Sequence, residues 1–445
     1  MKDWLWMKAA DLGQGIAAGQ IDPVALTRTY LEAIDGHEHR DRIYARVTHD
    51  RALAEAEAAA ERARLGIRRH ALDGVPISWK DLFDTAGTAT EAGTALLKGH
   101  VPQEDARVLR NATQAGLVCL GKTHMSELAF SGIGINPVTG TPPNVHDAAL
   151  APGGSSSGAA ASVAFGLAPA GIGSDTGGSV RIPSAWNDLV GFKTTSGRIS
   201  LDGVHPLCRR FDTVGPLARS VRDATLLISA LEGQGAPDLK GASPKGLRLA
   251  VLRNVAFDDI RPEPAAAFDE AAARLKEAGA ILTELTVPAL DEAMPLSALL
   301  FASEGYGIWK ELIESAPDKM FPQILERFRS GAQVSAPDYI AGWEKLGALR
   351  AQWQAATAGF DAVLCPTGPN LPPDVERMLS DDDYYIRENL LALRNTRIGN
   401  LMGLPAVTLP TGHAGCGLML MGQPMREEAL ARVAHAAEGV VLPAT

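Results

Sequence analysis

The chain has 445 residues, 46% hydrophobic and 21% charged, with a formal net charge of −10, a composition that suits a globular protein with a sizeable core. The acidic balance argues against the basic surface that nucleic-acid binding requires, and no apolar run reaches the ~18–20 residues of a membrane-spanning helix. Four scattered cysteines (Cys119, Cys208, Cys365, Cys416) form no CxxC pair, so neither a disulfide framework nor a zinc site is expected.

Residues 22–65 read as helices: "PVALTRTYLEAI" opens on a proline, and "RALAEAEAAAERARLG" is alanine-rich, charged and closed by glycine. "GVPISWKD" is a short β-rich run that leaves Lys80 at a strand end. "DARVLRNATQAG" reads as a helix and "LVCLGKT" as a buried strand. After "GGSSSG", "AAASVAFG" is a helix of small residues. "LAPAGIGSD" is a strand running into a loop, and "GGSVRIPSAWN" starts a turn or helix. Further on come "LRLAVLR" (strand), "EPAAAFDEAAARLKEAGA" (helix) and "ILTELTVP" (strand). The charged "LSDDDYYIREN" reads as a solvated loop. "DAVLCPT" and "PAVTLPTG" read as buried strands, and "REEALARVAHAAEG" as a closing helix. Strands alternating with helices indicate α/β layering. No repeat or long linker interrupts the chain, so residues 1–445 are expected to form one domain.

Three pattern matches fail on their physical context. Gly116–Thr123 fits the GxxxxGK-Thr spacing of a phosphate-binding loop, but the intervening Leu, Val, Cys and Leu suit a buried strand. Gly154–Gly158 fits GxSxG around Ser156, yet the preceding "LAPG" is a loop where a nucleophile elbow needs a strand. "GIGSDTGG" has Thr176 where a dinucleotide fingerprint needs its third glycine.

A different chemistry is available to "GIGSDTGGSVRIP", Gly171–Pro183. Consecutive small residues let backbone N–H groups converge into an anion-binding nest. Ser179 at its end is then a candidate nucleophile beside a candidate oxyanion hole. Taken alone, the stretch also suits a glycine-rich turn with a serine helix cap. "GGSSSG" is a second small-residue loop opening onto a helix. Lys80 is the third element, set in the apolar "VPISWK", although a lone lysine after a strand is commonly a surface residue.

Together these stretches resemble the amidase signature family. "LDGVPISWKDLFDTAGTATEAGT" is similar to the family's lysine block, and "GKTHMSELAFSGIGINPVTGTPPN" to the segment before the serine loop. "PGGSSSGAAASVAFGLAPAGIGSDTGGSVRIPSAWNDLVGFKTTSGRIS" resembles the signature itself; "FDTVGPLARSVRDA" and "NLMGLPAVTLPTG" also fit. The likeness is near-continuous over about 70–225, the expected core, and recurs over 360–440. It is weakest within about 290–400, where substrate-facing loops are expected. The resemblance implies a large central mixed β-sheet covered on both faces by helices. It implies Ser179 as nucleophile, Ser155 as bridging serine after a cis Gly154–Ser155 bond, and Lys80 as base. The backbone N–H groups of Thr176, Gly177, Gly178 and Ser179 would form the oxyanion hole. Ser174 would support the relay, and Asp175 and Arg181 would anchor the loop.

The activity so implied is hydrolysis of a linear carboxamide through an acyl-enzyme, with no metal and no cofactor. Lys80 can serve as base only if burial brings its pKa well below the free value. The alternative is the glutaminase component of a tRNA-dependent glutamyl/aspartyl amidotransferase, which would need a partner chain. Such glutaminases usually carry an aspartate seven residues before the asparagine of the "NLxGLP" block, and here that position, counted from Asn400, is Leu393. His124 and His205 are expected to be structural; Arg209 and Arg210, beside a family block in "CRRFDTVGP", leave an anionic substrate open, although surface or structural roles are the expectation. A cytoplasmic location and a small-molecule amide substrate are expected, with no nucleic-acid or membrane partner; a homodimer is the family's usual state.

Overall fold

A computed structural model describes residues 2–442. Its frame is one sheet of eleven strands: β1 (Tyr44–Val47), β2 (Pro76–Lys80), β3 (Val118–Thr123), β4 (Ala170–Ser174), β5 (Val190–Lys193), β6 (Val214–Ala218), β7 (Arg248–Leu252), β8 (Ile281–Leu285), β9 (Ala362–Pro366), β10 (Ala406–Pro410) and β11 (Gly417–Met421). They lie in the order β1-β3-β2-β4-β6-β5-β10-β11-β9-β7-β8. β2 is parallel to β3 and β4, and β7 is parallel to β8 and β9; the remaining pairs are antiparallel.

Successive side chains of a strand point to opposite faces. Every residue of β2, β3, β4, β6, β9 and β11 is buried, so both faces of the central sheet are covered, as a strand without hydrophobic–polar alternation implies. β8 is the opposite case, an edge strand with its side chains partly or fully exposed. The expected mixed, helix-covered sheet is therefore the fold. The N-terminal helix Pro23–Asp35 begins as its sequence suggests: Asp22 accepts a hydrogen bond from the Ala25 N–H and Pro23 occupies the first turn.

Two sequence expectations need correction. The stretch 22–65 is not wholly helical: Tyr44–Val47 forms β1, antiparallel to β3 at the sheet edge. "LSDDDYYIREN" is not a loop. It ends the helix Val375–Ser380 and begins the helix Asp382–Leu401. Asp381 caps the latter, accepting from the Tyr384 N–H at 2.9 Å, and Asp382 and Asp383 follow in its first turn, where negative charge suits the helix dipole. The acidity that suggests a solvated loop is a helix start.

Candidate active site

Parallel strands end at the same edge of a sheet, and a crevice beyond those ends is the usual ligand site of α/β folds. Lys80 is the last residue of β2 and Ser174 the last of its parallel neighbour β4, with Ser78 opposite Gly171 and Trp79 opposite Ile172. Lys80 Nζ donates to Ser155 Oγ at 2.6 Å and to Ser174 Oγ at 2.8 Å. The lysine is fully buried. Burial lowers its pKa to about 7, although the charges of Asp175 and Asp212 act in the opposite direction.

Ser155 is presented by the loop before the helix Ser157–Ala164, and the Gly154–Ser155 bond is cis. The loop is pinned along its length. The N–H of Gly153 donates to the Ile133 carbonyl and that of Gly154 to the Gly132 carbonyl, while the Ser155 carbonyl accepts from the Ser126 N–H at 3.2 Å. Ser156, centre of the GxSxG match, is a clamp: its Oγ donates to the Ser174 carbonyl at 3.1 Å and accepts from the Ser174 N–H at 3.2 Å. The Ser156 N–H donates to the Ser179 carbonyl at 3.2 Å. The loops of Ser155 and Ser179 are thus fastened through this backbone contact rather than by a hydrogen bond between their hydroxyls.

Ser179 lines a small pocket, with Thr176, Gly177 and the side chains of Phe130, Phe301 and Leu393 among its walls. The N–H groups of Thr176, Gly177, Gly178 and Ser179 have no acceptor among the described residues. They are unspent donors at a place where N–H groups can converge. The loop they belong to is tightly braced. The Thr176 hydroxyl donates to Asp212 Oδ1 and the Gly177 carbonyl accepts from Thr396 Oγ1 at 2.7 Å. Gly178 has φ +141°, and a Cβ there would lie 2.2 Å from Thr396 Oγ1, so only glycine fits.

Asp175 and Arg181 lie beneath the loop and away from the pocket lining. Arg181 Nη2 donates to Asp175 Oδ1 at 2.8 Å and to Asn400 Oδ1 at 2.6 Å, and its Nη1 to the Thr396 carbonyl at 2.7 Å. Burial pushes the Asp175 carboxyl up, but the Arg181 charge and hydrogen bonds, with Lys193 and Asn400, outweigh it and hold the pKa at about 2. This fully buried ion pair ties the loop after β4 to the helix Asp382–Leu401.

Arg209 and Arg210 are exposed and outside the pocket; Arg210 stacks over Trp343 at 4.9 Å. His124 is a buried packing residue whose backbone N–H donates to the Ile43 carbonyl. Sequence spacing gives no metal-ligand set, yet the fold gathers Asp84, His100 and His205 with ligand atoms within 4.8 Å of one another. None of the three lines the Ser179 pocket. Two pocket residues, Arg327 and Arg397, escape the sequence reading altogether. They sit on the helices Pro322–Arg329 and Asp382–Leu401, and no local motif marks them.

Fold and site together define an α/β protein with a buried lysine–serine cluster at the ends of two parallel strands. The chain belongs to the amidase family, whose profile matches residues 25–431, and so to enzymes that act on C–N bonds. It is 35% identical to the 2-amino-5-chloromuconic acid deaminase of Comamonas testosteroni, over 98% of this chain and 97% of that protein. It is 30% identical to the A-type component of the glutamyl-tRNA(Gln) amidotransferase of Chloroflexus aggregans, over 96% and 94% of the two chains. A crystal structure of an amidase superposes with a TM-score of 0.87 at 30% identity, covering 97% of this chain and 99% of the other.

Proposed function

We propose that the protein is a stand-alone amidase that hydrolyses a carboxamide to a carboxylate and ammonia or an amine through an acyl-enzyme. Ser179 is the nucleophile, Ser155 the proton bridge and Lys80 the base. Neutral Lys80 donates one N–H to Ser174 and turns its lone pair toward Ser155. Ser155 passes its proton to Lys80 as it takes that of Ser179, whose Oγ attacks the amide carbonyl. The free N–H groups of Thr176–Ser179 stabilise the oxyanion. The relay then runs backward to protonate the leaving nitrogen, which an amine requires in order to depart. Water cleaves the ester by the same path.

The observation that carries this reading is the setting of Lys80: fully buried, bonded only to hydroxyls, with a pKa near 7. The test is covalent labelling of Ser179 by a fluorophosphonate together with ammonia release from a panel of simple amides by the purified chain alone. No labelling and no ammonia would refute it.

The second reading, the glutaminase component of an amidotransferase, is favoured by the relatives of that name. Against it stands the pocket wall. Leu393 lines the pocket where those glutaminases usually carry an aspartate, and the described lining includes no carboxylate to receive the ammonium of glutamine. Ammonia release from glutamine only on addition of a partner chain would favour the amidotransferase instead. A cytoplasmic homodimer without nucleic-acid or membrane partners is part of the stand-alone proposal; among the described residues no helix is long and apolar enough to cross a membrane.

A further inference from the structure

Among the described residues, the Ser179 pocket is lined by two cations and no anion: Arg327 and Arg397 both face it. Arg327 Nη1 donates to the Phe130 carbonyl at 2.9 Å, and its guanidinium lies 4.4 Å over the Phe130 ring. Arg397 Nη1 donates to Ser297 Oγ at 3.2 Å, while its Nη2 is buried without a partner. Neither guanidinium reaches a carboxylate within 4.0 Å among the described residues, whereas other arginines do, the fully buried Arg181 with Asp175 and the partly buried Arg62 with Asp73 and Arg198 with Glu232 and Glu427. The acidic groups near the pocket are already occupied. Glu127 accepts from Thr94 Oγ1 and the Phe321 N–H, and Asp212 from Thr176 and the Leu207 and Cys208 N–H groups. Tyr385 gives its phenolic proton to Ser131.

Two half-buried guanidinium groups facing one pocket without a counter-ion are costly. Burial brings Arg327 down to about 10 and Arg397, further lowered by the Arg327 charge, to about 9, yet arginine keeps its proton at neutral pH. An anion in the pocket would relieve both. The planar donor fork of arginine suits a carboxylate.

We propose that Arg327 and Arg397 form a carboxylate subsite opposite Ser179, so that the amide hydrolysed is one whose acyl part carries a free carboxylate, a short dicarboxylic acid monoamide. This rests on the amidase reading and names its substrate class. The pocket is small, its remaining walls are largely apolar, and its other polar groups include the oxyanion donors and the nucleophile. A substrate spanning them presents its carbonyl at one end and its negative charge at the other.

The test compares succinamate with butyramide, which are similar in length and differ in charge, by kcat/KM from ammonia release. The wild type is expected to prefer succinamate by about 100-fold or more, and Arg327→Gln and Arg397→Gln to lower that ratio by at least about 30-fold each, the scale of losing one side of a buried charge pair. Succinate, the product of succinamate hydrolysis, should raise the Tm of the wild type and not of the variants. If the glutamine variants do not fold, Arg327→Lys and Arg397→Lys keep the charge, lose the fork, and must still lower the ratio. A wild-type ratio near one, or a ratio unmoved by the substitutions, overturns the subsite. If neither amide is hydrolysed while succinate still raises the wild-type Tm and not that of the variants, the subsite stands and the hydrolytic reading fails.

Discussion

The sharpest consequence of the site concerns proton inventory. If Lys80 is the base, only its neutral form is competent, and kcat/KM must rise with pH through the lysine's own titration. An ordinary lysine at 10.5 would be about 0.03% neutral at pH 7; with the pKa lowered to about 7, about half of the molecules carry a free lone pair, a gain of roughly 1,500-fold. Below that point each pH unit should remove about tenfold of kcat/KM, and well above it the profile should level off. Two other buried groups titrate in the same range: Lys193 is lowered to about 7 and Glu127 raised to about 7, each by burial first. Substitution therefore has to assign the limb. Lys80→Met is nearly isosteric and cannot accept a proton; it should lose about 10²–10⁴ in turnover, and the residual activity should lack the limb. Lys193→Met and Glu127→Gln should keep an inflection near 7 in whatever activity they retain. The assay is initial-rate ammonia release on a carboxylated amide between about pH 5 and 9 at constant ionic strength. A flat wild-type profile, or an unchanged limb in Lys80→Met, would refute the assignment.

Other outcomes follow from the same geometry. Ser179→Ala should abolish fluorophosphonate labelling, since Ser179 is the serine that lines the pocket beside the free N–H donors, whereas Ser156→Ala, which loses a clamp and not the nucleophile, should still be labelled; mass spectrometry of the intact protein reads both. Gly177→Ala places a Cβ no nearer than 3.4 Å to Leu393 and should fold normally, but Gly178→Ala drives one to 2.2 Å from Thr396 at φ +141°. The latter should cost about 1–3 kcal/mol of stability and, by shifting the N–H donors, about 10²–10³ in turnover, seen by urea unfolding and initial rates. Asp175→Asn leaves the buried Arg181 without its counter-charge and should cost about 3–5 kcal/mol; unchanged urea unfolding would remove the pair from its anchoring role.

The reacting centre is more legible in the sequence than the pocket around it, for a physical reason. A loop that must converge N–H groups and present a hydroxyl is written locally, in runs such as "SDTGGS" and "GGSSSG", where few residue types can do the work. A pocket wall is assembled at long range. Arg327 lies within "PQILERFRS" and Arg397 within "LLALRNTRIGN", helices on which a charged residue looks like any solvated one until the fold turns it inward. The same limitation hides the helix Asp382–Leu401, which braces Gly177, holds Arg181 and carries both Leu393 and Arg397. Its acidic opening suggests a loop by polarity alone, but position is what matters: an Asp cap followed by acidic residues in the first turn is a helix start. β1 escapes notice because four residues between two helices carry too little pattern to declare a strand.

Burial alone does not make a lysine a base, and this fold supplies the comparison. Lys80, Lys122 and Lys193 are all fully buried, and burial lowers all three. Lys122 lies 3.3 Å from an Asp81 carboxylate oxygen, which favours its charged form. Lys193 donates to the carbonyls of Thr194 and Leu404 at 2.9 and 2.7 Å, and a carbonyl can never return a proton. Of the three, Lys80 alone is bonded only to hydroxyls, partners that accept from an ammonium and donate to an amine. Its hydrogen bonds can therefore reverse direction without any atom moving far, as the base at the end of a proton relay requires. What separates the three is the chemistry of their partners rather than the depth at which they lie.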